Sequence, residues 1–306
     1  MTTATAPAVF LKGHGAQNDF LLLPDPHGCL HLTPEDVRRL CDRRLGIGAD
    51  GLLRAVRCAA APEAAAMAGE AGWFMDYRNP DGTDAQMCGN GIRVLARYLV
   101  DAGHQPPGDF ALATRAGLRH VHVRARSLEF AGEVAVQMGH PRLPGPDGIR
   151  VSAGGRSWPA LHVDMGNPHA VAFVDDLDDA GDLRTPPTVT PVSAYPAGVS
   201  VEFVVVRGPR HLAVRVHERG VGETRACGTG ACAAVAAALA HTGAGAPSGA
   251  PARYAVDLPG GRLDVDVASD GTMQLTGPAA IVARGTLNPL PSIPGPRIGW
   301  SPARAR

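Results

Sequence analysis

Residues 227–241 form a helical stretch with no polar face. Ala231, Cys232, Ala233, Ala234, Val235, Ala236 and Leu239 leave almost no side of it for water. A helix of that kind is buried all round. Much of the remaining chain reads as short strands, so the burial implies a sheet wrapped around the helix.

That helix opens at Arg225-Ala226-Cys227-Gly228-Thr229-Gly230-Ala231-Cys232. The first half of the chain holds a counterpart, Gln86-Met87-Cys88-Gly89-Asn90-Gly91-Ile92-Arg93. Each has a cysteine, then Gly-x-Gly, then an apolar run. After Cys88, the spacing of Ile92, Leu95, Ala96 and Leu99 predicts an amphipathic helix that stops near Gly103. Other features recur in the same order. Asn79 lies nine residues before Cys88, and Glu218 nine before Cys227. Asn18-Asp19-Phe20 leads into a strand in one half, and Asn167-Pro168-His169 does so in the other. Together these argue for an internal duplication.

Strands are expected at residues 9–12, 20–23, 52–57, 73–78, 110–114, 120–124, 134–138, 161–164, 170–174, 200–206, 212–218, 263–267, 273–275 and 280–283. Thr33-Pro34-Glu35 places an N-cap before a proline and predicts a helix to about Arg44. The Ala-rich run 59–72 reads as a surface excursion and 177–197 as loop. Gly46, Gly48 and Gly51 match the spacing of a dinucleotide-binding loop, but a helix precedes them and a strand follows. The match is read as chance, and the glycines as marking a backbone path few other residues could follow. Many strands with two principal helices make an α+β protein.

At 306 residues the chain is long enough for about two domains. Its 29 basic and 29 acidic residues balance, which argues against nucleic acid or a membrane surface as partner. No apolar run is long enough to span a bilayer. Met1 to Gly13 lacks the charged start and apolar core of a secretory signal. A cytoplasmic protein is expected. Its six cysteines include no Cys-x-x-Cys pair, so they are thiols, either buried or catalytic. Cys29, Cys41, Cys58 and Cys232 are assigned to packing.

A thiol at a helix N-terminus meets unpaired N–H groups and the positive end of the dipole, which favour the thiolate. The same N–H groups suit a carboxylate. One such motif suggests a nucleophile, a base or an anion site. Two, one per half, suggest inversion of a stereocentre, which needs a base on one face of a carbon and an acid on the other. Cys88 and Cys227 supply both and exchange roles each turnover. No motif calls for a metal or a pyridoxal cofactor, for which Lys12 is the only lysine. No cofactor is expected.

The chain resembles the diaminopimelate epimerases, pyridoxal-independent isomerases of amino acids. The resemblance rests on Lys12-Gly13-His14-Gly15-Ala16-Gln17-Asn18-Asp19-Phe20, Gly46-Ile47-Gly48-Ala49-Asp50-Gly51, and Tyr77-Arg78-Asn79-Pro80-Asp81-Gly82 through Met87-Cys88-Gly89-Asn90-Gly91. It continues in Met165-Gly166-Asn167-Pro168-His169, Val201-Glu202-Phe203, and His217-Glu218-Arg219-Gly220-Val221-Gly222-Glu223-Thr224 through Ala226-Cys227-Gly228-Thr229-Gly230. It spans about residues 9–287. It implies two pseudo-symmetric domains, each a curved, mostly antiparallel sheet around a central helix, with the site between them. Residues 1–130 with 278–288 would form one domain and 131–277 the other, leaving a Pro-rich tail, 289–306, expected to be disordered.

The resemblance implies Cys88 and Cys227 as the acid/base pair. It places the reacting α-carboxylate on N–H groups near Gly89, Asn90, Gly228 and Thr229. It implies Asn18, Asn79, Asn167, Glu218 and Arg219 as further lining, and a homodimer as the assembly. Glu218 suits an ammonium and Arg219 a carboxylate. His169 either supports a cysteine or caps a loop. Ser200 stands where the family usually has asparagine, at the distal end of the substrate; a hydroxyl replaces an amide there. That departure keeps open a racemase or epimerase of a different amino acid. A non-catalytic amino-acid-binding protein is the reading from another class.

Overall fold

The computed structural model describes residues 8–125, 132–143, 145–241 and 251–287; the tail expected to be disordered lies outside them. In chain order the elements are β1 (Val9–Gly15), β2 (Asn18–Pro24), α1 (Pro34–Cys41), β3 (Gly51–Arg57), β4 (Trp73–Arg78), α2 (Gly89–Asp101), β5 (Gly108–Thr114), β6 (Gly117–Val123), β7 (Glu133–Gly139), β8 (Arg150–Ala153), β9 (Arg156–Asp164), β10 (Pro168–Phe173), β11 (Thr188–Thr190), β12 (Ser200–Gly208), β13 (His211–Glu218), β14 (Gly222–Thr224), α3 (Gly228–His241), β15 (Ala252–Leu258), β16 (Gly261–Val267), β17 (Met273–Pro278) and β18 (Ala280–Thr286).

The same strand order occurs twice. In the first half β1 to β7 are successive neighbours, antiparallel except for β2–β3 and β4–β5. In the second, β9, β10, β12, β13, β15, β16 and β17 follow one another, antiparallel except for β10–β12 and β13–β15. A parallel pair needs a crossover. The crossover from β4 to β5 carries α2, and the one from β13 to β15 carries α3. The two series join through β7 and β17, which pair antiparallel. β18 then returns to the first half and pairs with β1. The limit expected at 130/131 falls just before β7, which pairs with β6 and packs on α2.

The helix without a polar face behaves as its sequence requires. β9, β10, β12, β13, β16 and β17 surround α3, and from Gly230 to Ala238 every residue is buried. α2 departs from its amphipathic expectation, for Gly89 to Leu99 are all buried, including Arg93 and Arg97. Both guanidinium groups find oxygen partners inside: Arg93 at Gly89 O and Asn90 Oδ1, Arg97 at Arg124 O and the Asp101 carboxylate. The Ala-rich 59–72 is only partly a surface excursion. It turns through two short 3₁₀ segments and buries Ala61, Ala64 and Ala71 against Val56 and Phe74.

Two turns from different halves meet beside the second helix start. Gly260, between β15 and β16, donates its N–H to Arg225 O at 2.7 Å. A Cβ there would lie 1.9 Å from Ala16 O in the β1–β2 turn. Backbone on both sides leaves no side chain that can swing away. Gly260→Ala is expected to lower unfolding stability by about 1–3 kcal/mol through overpacking. The check is the urea midpoint, and an unmoved midpoint contradicts the contact.

Candidate active site

The two helix starts face each other. Cys88 is the N-cap of α2: its backbone is extended, and its sulfur accepts the Gly91 N–H at 3.5 Å. Cys227 does the same for α3, with its carbonyl taking the Ala231 N–H at 3.0 Å and its sulfur the Gly230 N–H at 3.4 Å. The first residues of the helices, Gly89 and Gly228, abut. A Cβ on Gly228 would lie 2.8 Å from Leu275 Cδ2 and 3.3 Å from Gly89 Cα. A Cβ on Gly230 would lie 2.7 Å from Glu202 Oε1. Three of the four motif glycine positions, Gly91, Gly228 and Gly230, are thus close approaches, Gly91 with a Cβ 3.1 Å from Leu53 Cδ2; a Cβ on Gly89 would be in ordinary contact at 3.5 Å.

A cavity of about 270 Å³ opens where the helices meet. Cys88, Gly89, Asn90, Gly228, Thr229 and Cys227 line it from the two N-termini, where the first N–H groups have no acceptor within their own helix. Asn79, Asn167, Ser200, Glu218 and Arg219 line it as well, so most of the residues expected from the sequence come together. A larger groove of about 840 Å³ beside β6, β15 and β16 holds neither helix start.

Three residues sit differently from expectation. Asn90 reaches the cavity wall, but its side chain is spent on structure: it donates to Asn18 Oδ1 at 3.0 Å and to Ala226 O at 2.8 Å, and accepts from Arg93 at 2.8 Å. The bond to Ala226 ties the start of α2 to the residue before Cys227. Asn18 lies behind Cys88, its Oδ1 3.9 Å from the sulfur. His169 is fully buried and pairs through Nδ1 with Glu202 Oε1 at 2.7 Å. Its register partner on β12 is Ser200, so it flanks the cavity from behind.

The expectation that the helix termini would lower both thiol pKa values does not hold in the free protein. Burial pushes the Cys88 thiol up to about 11, with the Glu218 carboxylate adding to it; the N–H groups of Gly91 and Asn90 pull only partly back. Cys227 is pushed well above its ordinary range by burial, then by Glu218 and Glu202. Burial also raises Glu218, against the hydrogen bonds it takes from Thr224 and Cys227. Desolvation and one shared carboxylate therefore outweigh two helix termini.

Several lining residues were not singled out from the sequence. Tyr77 ends the inward row Trp73, Met75, Tyr77 of β4, and burial keeps its phenol neutral. Arg119 lies on the inward face of β6 with Val121 and Val123, cross-strand from Leu112. Strand alternation contains that signal. The Arg119 Nε is buried without a partner, and among the described residues no carboxylate pairs with it. No cluster of three metal-ligating side chains occurs among the described residues.

The family model described as diaminopimelate epimerase matches residues 10–144 and 161–282. The chain is 59% identical over 277 residues to a diaminopimelate epimerase of Streptomyces coelicolor, covering 90% of this chain and 94% of that one. It is 44% identical over 293 residues to one of Mycolicibacterium smegmatis, covering 92% and 97%. Among solved structures, a Bacillus anthracis phenazine biosynthesis protein of the PhzF family has a TM-score of 0.69 at 16% identity, covering 92% of this chain and 99% of that one. A hydroxyproline epimerase from Agrobacterium vitis has 0.64 at 16%, covering 91% of each. At such identity the structures share the fold alone. The sequence matches run through both halves and both cysteine motifs, and they place the chain in the diaminopimelate epimerase family.

Proposed function

We infer that this chain converts LL-2,6-diaminopimelate to the meso form by inverting one α-carbon, a step that supplies lysine and cell-wall precursors. The observation that carries the mechanism is the meeting of two cysteine-capped helix starts in one cavity. One sulfur, as thiolate, takes the α-proton. The other, as thiol, gives its proton to the opposite face. The Cα–H bond broken on one side is replaced by one formed on the other, and the two sulfurs exchange protonation states. Negative charge building on the α-carboxylate meets the first N–H groups of both helices.

Both thiols rest protonated in the free protein, so a base has to be made. Burial holds both up, and the Glu218 carboxylate adds to it at each sulfur. A substrate ammonium beside Glu218 cancels that charge and eases the loss of one thiol proton to solvent as the substrate enters the cavity. The distal amino acid group falls to Asn79, Asn167, Ser200 and Arg219. Ser200 Oγ accepts the Arg219 N–H at 3.2 Å and keeps its own O–H to donate. Arg119 is a further cation in the wall. A half-buried cation without a counter-ion is costly, and a substrate carboxylate would supply one. Arg119→Met is expected to raise KM by about 10- to 100-fold, the loss of one charge-assisted hydrogen bond, with kcat little changed. An unchanged KM would remove Arg119 from the binding set.

The two-domain division expected from the sequence is part of this proposal, with β7 and β17 as the seam. So are a homodimer and a cytoplasmic location, both resting on the family. No helix among the described residues is long and apolar enough to cross a membrane. Light scattering on the reduced protein tests the dimer. The activity is tested by incubating the reduced protein with LL-diaminopimelate in heavy water. Deuterium should enter one α-carbon as meso product forms. Binding without exchange would leave a binding protein, and faster turnover of a monoamino acid would reassign the substrate.

A further inference from the structure

Behind Cys88 lies a hydrogen-bonded chain whose direction is fixed at both ends. Arg93 can only donate, and its Nη2 reaches Asn90 Oδ1 at 2.8 Å. The Asn90 amide nitrogen must then face away, and it donates to Asn18 Oδ1 at 3.0 Å. The Asn18 nitrogen in turn donates to Asp50 Oδ2 at 2.8 Å. Asp50, a carboxylate, can only accept there. Neither amide can flip without setting donor against donor or acceptor against acceptor. The orientation that is normally an assignment is here forced by chemistry.

Asp50 is held as firmly as Asn18. Its Oδ2 also takes the Asp19 N–H at 3.0 Å, and its Oδ1 takes Arg43 Nη2 at 2.7 Å. Asp19 is bound in turn by Arg43 and by Lys12 at 2.5 Å, and the Lys12 ammonium also reaches Gly48 O. The glycine-rich turn 46–51 delivers this carboxylate. Gly48 has φ +82°, and a Cβ on Gly46 would lie 1.9 Å from Arg39 O. Burial, then Asp19, raises the Asp50 carboxyl above its usual value, while burial lowers Arg93 to about 10. The buried cation and the carboxylate are thus joined through two amides.

The consequence falls on the catalytic pair. With its nitrogen committed to Asp50, Asn18 can show Cys88 only its carbonyl oxygen. A carbonyl oxygen accepts an S–H and repels a thiolate. We propose that Asp50 is a positioning residue: through Asn18 it turns an acceptor onto the Cys88 sulfur and so holds Cys88 in the proton-donor state until substrate arrives. The other charged or titratable groups acting on that sulfur are Glu218 at the end of β13, which opposes the thiolate, and Arg93 of α2, which favours it; Tyr77 of β4 stays neutral. Asp50 touches no substrate and acts only through Asn18.

The proposal rests on Cys88 being one of the acid/base pair, but its test needs no turnover. The readout is the pH dependence of iodoacetamide alkylation at Cys88, followed by peptide mass spectrometry on the full chain. Asp50→Asn weakens one of the two ends that hold the Asn18 amide, so its oxygen is presented to Cys88 less firmly and the Cys88 profile should move to lower pH. Asn18→Asp places an acceptor on both sides, so the profile should move to higher pH. A generally loosened fold would move both variants the same way. Asp50→Glu keeps the acceptor and should return the profile most of the way to that of the unmodified protein. In turnover, Asp50→Asn should lose at least tenfold in kcat with KM within a factor of about two, as expected of a group acting through the acid/base step. Profiles that do not move, or that move in the same direction for Asp50→Asn and Asn18→Asp, overturn the assignment. A failed epimerisation assay with the two profiles moving oppositely would instead remove the substrate and leave the relay standing.

Discussion

Cys88→Ala and Cys227→Ala are each expected to lose inversion, with kcat falling by about 10²- to 10⁴-fold, the usual worth of a positioned proton-transfer group. The double variant should fall little further, because two groups that act as one device do not add. The geometry also predicts how each single variant fails. The helix starts approach from opposite sides of the cavity, with Gly89 against Gly228 between them. A variant with one sulfur can remove a proton from one face only and must return it there. Any solvent exchange that survives should therefore be confined to one stereoisomer, returned unchanged, and the two variants should choose opposite stereoisomers. Mass spectrometry of LL and meso substrate recovered from heavy water reads this directly. Exchange of the same stereoisomer by both variants, or near-normal inversion by either, would remove the two-thiol mechanism and leave the fold untouched.

Much of the scaffold behind that prediction is legible in the chain. An apolar helix with no polar face dictates a sheet around α3, and the matched cysteine motifs announce a second helix start. The strand order repeated through β1–β7 and β9–β17 agrees with the duplication read from spacing alone. Most of what escapes is short or non-local. β8, β11 and β14 have four, three and three residues, too few for alternation to register, and β15, Ala252–Leu258, escapes although it has seven. Arg93 and Arg97 look like a solvated face of α2 because periodicity reports charge, not the carbonyls another segment will bring. The direction of the thiol shifts depends on burial beneath both halves and then on Glu218 standing beside both sulfurs, and the use of Asn90 depends on Ala226 arriving from the other half. The turn 46–51 advertised an unusual backbone path without saying that its purpose is to place one carboxylate.

Glu218→Gln separates thiol acidity from catalysis. The substitution keeps size and can still take the Thr224 hydroxyl. It removes the negative charge that, after burial, is the largest influence raising both Cys88 and Cys227. In the free protein both thiols should therefore ionise at lower pH, seen as thiolate absorbance near 240 nm appearing earlier in an alkaline titration. The sign follows from like charge: a carboxylate disfavours a neighbouring thiolate, and a neutral amide does not. More thiolate would ordinarily mean a faster enzyme. Here kcat/KM should instead fall by about 10²- to 10³-fold, because the carboxylate proposed to receive the substrate ammonium is gone and a buried charge pair would be lost on binding. Thiols that become more acidic in an enzyme that becomes slower are the signature of a site whose base is created by its substrate. If Glu218→Gln leaves the thiol titration in place, the carboxylate does not control the sulfurs. If the thiols shift and activity rises, ammonium binding at Glu218 is not what prepares the base, and the trigger lies elsewhere in the cavity.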